Sequence, residues 1–350
     1  MAAVVSAEEK EPPEAAMKKE LGPAPCGSCI TLPPAVAERY EPLEKLGEGM
    51  FGDVYKAWDR VGRRLVAIKR LSGRTDDRFV ETSLRYFARE GMSSAPAAAT
   101  PRARSDGDCF VVTMYAGPLN LRQYMRLRSV HGRPFHEAEV RDAMRQLLSG
   151  ARRVHDAGVL HRDMVPENVI VDEKRDGKKV IYRICGFGVS ERAARLDRDG
   201  SAPLASPSPY RAPEIFLGSQ DYDGRVDTWG LGCIMAELIA CSGKPFFGAD
   251  LDAKVFEKMQ RAVGTQGIVE WSGLQRLARR DLAAELREKG YATYTGCLQE
   301  VFPEEVLSEA GFEVLSGLLD ANPERRLTTK AALRKPWFRR FSFGGCCFVP

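Results

Sequence analysis

Residues 161–168, which read His-Arg-Asp-Met-Val-Pro-Glu-Asn, combine a carboxylate and an amide at a short fixed spacing. Asp163 carries a carboxylate and Asn168, five residues later, carries an amide, and side chains of these types can serve as proton acceptors or as ligands of hard cations. Lys69 follows the apolar residues 66–68, and such a context buries the stem of a lysine while its ammonium group points outward. A base, a cation and a metal ligand are groups that phosphate chemistry uses.

A glycine-rich segment precedes Lys69. Residues 47–54 read Gly-Glu-Gly-Met-Phe-Gly-Asp-Val and lie between two strand-like segments. Glycines at this spacing let the backbone turn tightly and approach phosphate oxygens without a Cβ clash. A dinucleotide-binding site is the alternative, but it requires a helix after the third glycine. A strand-like pattern follows here, which favours a glycine-rich loop over the phosphates of a nucleotide.

The elements that must position these residues change in type along the chain. Residues 1–37 are rich in Ala, Pro, Glu and Lys, a composition that predicts a disordered tail. Strand patterns begin at Tyr40 and include Leu43, Leu46, Val54, Tyr55 and residues 65–68, and another strand is predicted over 109–114, with a helix predicted over 81–91 before it. From Glu137 onward the apolar residues recur at helical spacing. The helices predicted there begin at Glu137 and cover 226–239, 251–263, 311–319 and 329–333.

Strands first and helices afterwards predict an α+β chain with two lobes. We expect a small, β-rich N-lobe over residues 40–116 and a larger, helical C-lobe over 118–338, joined near Gly117. Residues 339–350 are then a C-terminal tail.

Composition excludes some partners and compartments. The 52 basic and 48 acidic residues nearly balance, so we expect no nucleic acid partner, which usually requires a concentrated basic face. The longest mainly apolar stretch, 229–241, is too short for a membrane span. Nine cysteines without a secretory signal indicate an intracellular protein with reduced thiols, in the nucleus or the cytoplasm.

Several motifs in order make the chain similar to eukaryotic protein kinases of the serine/threonine type, and among them to the cyclin-dependent kinases. The resemblance implies a two-lobed protein kinase domain over residues 40–338 that transfers the ATP γ-phosphoryl group to Ser or Thr hydroxyls of proteins. The motifs are residues 47–54, Val66 to Lys69, Glu90, His161 to Asn168, Ala212-Pro213-Glu214, Asp227 to Gly230 and Asn322 to Arg326.

The resemblance also implies roles for single residues. Asp163 takes the proton of the substrate hydroxyl, Asn168 binds Mg2+, and Glu90 orients Lys69 on the ATP phosphates. Asp227 anchors the catalytic loop. The residues that match the nucleotide site are Leu46, Gly47, Glu48, Gly49, Met50, Phe51, Gly52, Asp53, Val54, Ala67, Lys69, Met114, Tyr115, Gly117 and Ile170.

Two departures bear on catalysis. Gly186 begins the triplet Gly-Phe-Gly, where the family has Asp-Phe-Gly, and Val165 stands where serine/threonine kinases have a lysine. Without the Asp carboxylate, Asn168 is the only motif-matched metal ligand, so Mg2+ binding should be weakened. The alternative function is therefore a pseudokinase that binds a nucleotide or a partner without turnover. A small-molecule kinase is disfavoured by Ala212-Pro213-Glu214.

The resemblance implies a protein substrate and a cyclin-like activator. The sequence of residues 84–90 departs from the usual cyclin-contact sequence, which argues against cyclin dependence. Ala202 stands where a phosphorylated threonine is expected in the activation segment, residues 186–214. Ser201, Ser206 and Ser208 are close to it and are either phosphate acceptors or ordinary loop serines.

Overall fold

The computed structural model describes residues 32–49, 52–71, 109–173, 179–186, 191–192, 206–277 and 294–339. Met50, Phe51, Glu90, Ser201 and the helix predicted over 81–91 lie outside these ranges. The described residues form two compact units, and the division falls between Tyr115 and Ala116.

The first unit is an antiparallel sheet of four strands in the order β1-β2-β3-β4. The strands are β1 (Tyr40–Gly49), β2 (Gly52–Asp59), β3 (Arg64–Leu71) and β4 (Cys109–Met114). The strands predicted between Tyr40 and Met114 are thus confirmed. Along β3 the buried Val66 and Ile68 alternate with less buried residues, so one face of this strand packs in the core. The core residues of this unit are Val36, Tyr40, Ala57, Val66, Ile68, Phe110 and Val112.

The last residues of the predicted tail, from 32 onward, are among the described residues. Residues 34–37 form a short helix, α1 (Pro34–Ala37), and the prediction of disorder up to residue 37 was wrong for these residues. Val36 is 1% exposed in the core of the sheet, so a single apolar anchor orders this turn. The next residues are held by Arg39, which donates two hydrogen bonds to the buried Asp59 at 2.9 and 3.0 Å.

The second unit is mainly helical. Its longer helices are α2 (Leu121–Val130), α3 (Glu137–Asp156), α5 (Arg225–Ala240), α6 (Asp252–Val263) and α9 (Glu309–Leu318). Its single-turn helices are α4 (Pro213–Phe216), α7 (Gln266–Val269), α8 (Leu298–Val301) and α10 (Thr329–Ala332). Every helix predicted from Glu137 onward is confirmed, with ends that differ by at most two residues.

Short strands lie beside these helices. The strands β5 (Leu119–Asn120), β7 (Val169–Glu173) and β8 (Val180–Ile184) form one antiparallel sheet, and β6 (Val159–Leu160) pairs with β9 (Glu191–Arg192). The catalytic segment 161–168 connects β6 to β7, so both of its ends are fixed by strand pairing.

The core of the second unit lies between α3 and α5. Helix α3 buries one stripe that includes Val140, Met144, Leu147 and Val154, as the spacing predicted. Helix α5 is buried over residues 227–238, so it is apolar on nearly all sides.

The second unit also contains a buried ion pair between Arg326 and Glu214. Both terminal nitrogens of Arg326 donate to the carboxylate of Glu214 at 2.7 Å, and the guanidinium lies 5.0 Å from the centre of the Trp229 ring. Glu214 and Arg326 are both nearly inaccessible to water, which makes the pair costly to break by removing one partner.

In the part of the chain that the structure covers, no helix is both long and apolar enough to cross a membrane.

Candidate active site

Asp227 holds the start of the catalytic segment in place. Its carboxylate accepts hydrogen bonds from the backbone amides of His161 at 2.9 Å and Arg162 at 2.7 Å. His155 also contacts the Asp227 carboxylate, at 2.8 Å. Arg162 has a positive φ of 66°, which is rare for a residue with a Cβ. The two hydrogen bonds that Asp227 accepts therefore stabilise the unfavourable backbone conformation at Arg162.

The protonation states of this anchor follow from its partners. Burial tends to raise the pKa of Asp227, but the hydrogen bond from His155 and the nearby histidines hold that pKa below its usual range. Burial lowers the pKa of His161. His161 is therefore neutral, with Nδ1 accepting from the Asp163 amide at 3.2 Å and Nε2 donating to the Cys185 carbonyl at 2.8 Å. This histidine ties the catalytic segment to the chain just before Gly186.

Asp163 and Asn168 are brought into direct contact. The Asn168 side-chain nitrogen donates to the Asp163 carboxylate at 2.7 Å and to the Asp163 carbonyl at 3.0 Å. The turn between them is a 3₁₀ helix over Pro166–Asn168, which places the two side chains on the same side. Both N–H groups of the Asn168 side chain are used in these bonds, so the amide oxygen of Asn168 points away from Asp163.

That amide oxygen lies against Gly186. A Cβ built on Gly186 would stand 2.1 Å from the Asn168 oxygen, far inside contact distance. The φ of Gly186 is +79°, in the left-handed region that glycine tolerates best. The side chain of Asn168 thus fills the space into which an aspartate at position 186 would begin to extend.

Val165 is packed in the core of this unit. It is 4% exposed, so the position where the family has a lysine contributes an apolar contact here. Its neighbour Glu167 is half exposed and accepts a hydrogen bond from Arg122 at 3.0 Å.

Arg122 connects the catalytic segment to the core. Besides Glu167, its guanidinium donates to Glu237 at 2.6 Å and to the hydroxyl of Tyr210. Glu237 is fully buried, and burial raises its pKa to about 7 although Arg122 opposes the shift. Sequence reasoning missed this network. Arg122 and Glu237 are 115 positions apart, and no local pattern connects them.

In the first unit, the described residues of the glycine-rich segment belong to the ends of β1 and β2 that pair with each other. Gly47 pairs with Val54, and Gly49 pairs with Gly52. Lys45 lies 3.0 Å from the Asp53 carboxylate, which also accepts from the Tyr55 hydroxyl at 3.0 Å. These contacts brace the two strands near their paired ends.

Strand register places three predicted nucleotide residues on one face. Val54 pairs with Lys69, and Ala67 lies two residues before Lys69, so all three side chains point to the same side of the sheet. Met114 pairs with Val66, the neighbour of Ala67 on β3. Its side chain therefore points to the other side of the sheet from those of Val54, Ala67 and Lys69. The roles of Lys69 and of its proposed partner Glu90, which is not among the described residues, stay predictions.

The other predicted nucleotide residues are distributed over both units. Leu46 is 40% exposed on β1. The Tyr115 amide donates to the Leu65 carbonyl at 3.3 Å, which extends β4 by one bond. In the second unit, a Cβ at Gly117 would stand 2.4 Å from the Val171 carbonyl oxygen and 3.2 Å from Ile170, so only glycine fits beside this strand.

The described residues supply little for a metal ion. They contain no group of three or more His, Cys, Asp or Glu that could hold one. The oxygen of Asn168 beside Gly186 is a neutral ligand of the type that Mg2+ accepts, but a single such group does not hold a hard cation alone. The site therefore fits a magnesium ion only if phosphate oxygens of a nucleotide supply most of its ligands.

Comparison with known proteins agrees with this geometry. The family model of the protein kinase domain matches residues 40–338. The chain is 42% identical over 312 residues to the putative cyclin-dependent kinase F-2 of Oryza sativa subsp. japonica, an alignment that covers 86% of this chain and 90% of that protein. It is 31% identical over 316 residues to cyclin-dependent kinase G1 of Arabidopsis thaliana.

The chain covers 48% of the length of that Arabidopsis protein. Among solved structures, a chain of the yeast RNA polymerase II CTD kinase CTDK-1 complex is similar, with a TM-score of 0.67 and 23% identity over 89% of this chain and 96% of its own length. This likeness shows the fold.

The chain therefore belongs to the protein kinase family, and its resemblance to the cyclin-dependent kinases is confirmed. It is a serine/threonine kinase of the cyclin-dependent type, and its fold is the predicted α+β kinase fold. The comparisons give no support to the pseudokinase alternative.

Proposed function

We propose that this kinase transfers the γ-phosphoryl group of ATP to Ser or Thr hydroxyls of proteins, with Asp163 as the group that accepts the hydroxyl proton. The observation that carries the proposal is the contact between Asp163 and Asn168, at 2.7 Å, on a segment anchored by Asp227. A base whose carboxylate is bonded to Asn168, on an anchored segment, is aimed before the substrate arrives, and such positioning is a large part of catalysis.

Each residue of the catalytic segment has a separate task in this proposal. Asn168 orients the Asp163 carboxylate through its amide nitrogen and offers its oxygen to the metal. Magnesium bound with ATP would neutralise phosphate charge during transfer. Lys69, on the same strand face as Val54 and Ala67, binds the phosphates by its charge. The glycine-rich segment 47–52 approaches the phosphates by its backbone.

Because residue 186 is a glycine, we expect a low rate of phosphoryl transfer. The family's carboxylate is absent at this position, and Asn168 fills its space. The proposal is therefore a kinase that binds Mg2+ mainly through the nucleotide and turns over slowly.

The test is transfer of labelled γ-phosphoryl from ATP by the full chain to a mixed library of Ser- and Thr-containing peptides. We expect transfer by the natural chain, and a loss of about a hundredfold or more in Asp163→Asn, since a general base contributes at least this much. Glu173→Gln, an exposed carboxylate on the neighbouring strand β7, serves as the matched control and should keep its rate. Equal rates for the natural chain and Asp163→Asn would refute the proposed role of Asp163.

We also propose that a cyclin-like protein activates the kinase, as the names of its relatives suggest for those proteins, although the sequence of residues 84–90 argues against it. The test is the same transfer assay with and without a panel of cyclins. At least one cyclin should raise the rate more than tenfold, and rates unchanged by every member of the panel would count against this activator.

A further inference from the structure

Helix α2 presents two large apolar side chains to solvent. Leu127 is 46% exposed and Val130 is 82% exposed. The two residues stand three positions apart on the helix, so their side chains are neighbours on its surface. A single exposed apolar residue is ordinary on a protein surface. An adjacent pair offers a partner a continuous apolar contact.

Cations surround this apolar pair. Arg126 precedes Leu127 on α2, and Arg133 follows the end of the helix; both are exposed. Lys244, which is also exposed, comes from the segment after α5. That segment lies against α2, because Arg126 donates to the Gly243 carbonyl at 3.4 Å. Together five residues form what we call the α2 face: Arg126, Leu127, Val130, Arg133 and Lys244.

The cations of the α2 face have no carboxylate partner among the residues that the structure describes. Residues 121–136 contain no Asp or Glu, and neither do residues 241–249. The two other arginines of α2 differ in this respect, since Arg122 pairs with Glu237 and Arg128 pairs with Glu139. The positive charge of the α2 face is therefore left for an anion from outside.

The loop after α2 is held in one shape. Arg128 donates to the carbonyls of Arg133 at 3.0 Å and of Pro134 at 3.1 Å. The Arg133 amide donates back to the Arg128 carbonyl at 2.8 Å. Two hydrogen bonds to Glu139, at 2.7 and 3.0 Å, fix the Arg128 guanidinium. A surface whose backbone is held before binding loses little conformational entropy when a partner arrives.

Gly243 lets the two halves of the α2 face meet. Its φ is +65°, and a Cβ built on it would stand 2.8 Å from Cγ of Arg126. The stem of Arg126 therefore lies directly against the backbone at residue 243. Only a residue without a side chain admits this contact, which brings the segment that carries Lys244 beside α2.

We propose that the α2 face is a docking surface for a protein segment that carries acidic residues on both sides of one or two large apolar side chains. The apolar side chains of that segment cover Leu127 and Val130, and its carboxylates pair with the three cations. Exposed ion pairs contribute little binding free energy. The apolar contact therefore supplies most of the affinity, and the charges select and orient the partner.

Charge and apolar exposure together select this occupant. A basic or neutral segment would leave the three cations unpaired. A nucleic acid would pair with the cations through its phosphates but would leave Leu127 and Val130 in water. An acidic segment with apolar side chains satisfies both parts of the α2 face. Binding there requires no phosphoryl transfer, so the inference is independent of the proposed function.

The first experiment tests the apolar contact. A fluorescent peptide, Glu-Asp-Leu-Glu-Asp-Leu-Asp-Glu, is titrated with the full chain and followed by anisotropy. We expect saturable binding, and binding at least about tenfold weaker to Val130→Ser, because a valine is no longer covered. Val269→Ser is the matched control at a valine that is 49% exposed at the end of α7. No saturable binding, or equal weakening in the two variants, would overturn the proposal.

The second experiment tests the charges. Arg133→Glu should weaken peptide binding about fivefold, since an attraction becomes a repulsion. Arg152→Glu makes the same change in net charge at an exposed arginine of α3, roughly 22 Å along that helix from its start. This control should bind the peptide like the natural chain. Equal losses would mean that only net charge matters, and the α2 face would not be the docking surface.

The third experiment uses the unsubstituted chain and compares occupants. On peptide binding the methyl resonances of Leu127 and Val130 should shift, and binding that leaves both unmoved would overturn the proposal. Vesicles of phosphatidylserine and phosphatidylcholine and a single-stranded oligonucleotide are titrated in the same way, and both should bind more weakly than the peptide. Tighter binding of either one, or self-association of the chain that Val130→Ser abolishes, would show that the acidic segment is the wrong occupant.

Discussion

Gly186 and Asn168 together define the most unusual feature of the site. Loss of the carboxylate at position 186 is visible in the sequence, because the neighbouring motif fixes where it should stand. The position of the Asn168 side chain cannot be predicted from the sequence. Its amide oxygen lies where a Cβ of residue 186 would begin, and its nitrogen binds Asp163. One side chain thus both fills the vacated space and orients the base.

Asn168→Ala tests this double role. The variant loses both hydrogen bonds from the Asn168 amide to Asp163, which weakens the orientation of the carboxylate, and we expect transfer to fall by at least about tenfold. The free energy of unfolding should fall by only about 1–3 kcal/mol, the usual cost of losing partners in a half-buried site. Peptide phosphorylation and urea unfolding measure the two effects. Transfer unchanged in a folded variant would show that Asn168 does not orient the base.

Among the elements, the catalytic segment depends on helix α5. Asp227 at the start of α5 accepts bonds from the backbone of His161 and Arg162 and contacts His155 at the end of α3. The start of the catalytic segment is irregular, and Arg162 has a positive φ there. It keeps its shape because Asp227 on α5 accepts its backbone hydrogen bonds.

Asp227→Ala should therefore destabilise the chain strongly. It leaves two buried amides and one histidine without their acceptor, which we expect to cost about 3 kcal/mol or more of unfolding free energy. Asp223→Ala is the matched control, since Asp223 is exposed just before the same helix and bonds only to Arg225 in the described contacts. The two losses are compared by urea unfolding. Equal losses would contradict the anchoring role.

The contact of α2 with α5 predicts a dependence on pH. Burial raises the pKa of Glu237 to about 7 against the effect of Arg122, while a glutamate in an unfolded chain titrates near 4.3. The folded state therefore binds the extra proton between these values. This contribution to stability is complete below about pH 4 and is lost as the pH rises through about 7.

Arg122→Met should enlarge that loss. Without the guanidinium the pKa of Glu237 rises further, and an ionised Glu237 would be buried without its cation. We expect the variant to lose at least about 1 kcal/mol more unfolding free energy at pH 8 than at pH 6. Arg126→Met, on the exposed side of the same helix, should lose the same small amount at both values. Losses for Arg122→Met that do not differ between the two pH values would contradict this coupling.

At the scale of the whole molecule, local patterns predicted much of the fold. The stripe on α3 and the strand-forming residues of β2 and β3 lie close together in sequence, so local patterns predict these elements. Family motifs then predicted the Asp227 anchor. The network of Arg122, Glu237 and Tyr210 could not be predicted, because its members are distant along the chain and none carries a local signal.

For residues 34–37 the prediction of disorder from composition was wrong. Their composition matches a disordered tail, but one side chain, Val36, is buried against the sheet and orders the turn. Composition averages over a segment, whereas burial depends on single residues.

Under the proposed function, this chain is a working protein kinase whose rate is limited by the carboxylate missing at position 186. The most direct test is the single-turnover rate of phosphoryl transfer by the full chain and by Gly186→Asp, across a titration of Mg2+ and then of Mn2+. Asn168 must turn aside to admit the new side chain, and an aspartate is among the residues that tolerate a positive φ.

We expect nucleotide binding in both proteins, slow transfer by the natural chain, and transfer about a thousandfold faster in Gly186→Asp, the effect of a metal ligand that supplies about 4 kcal/mol in the transition state. Equal rates at every metal concentration, with nucleotide bound in both, would contradict the account.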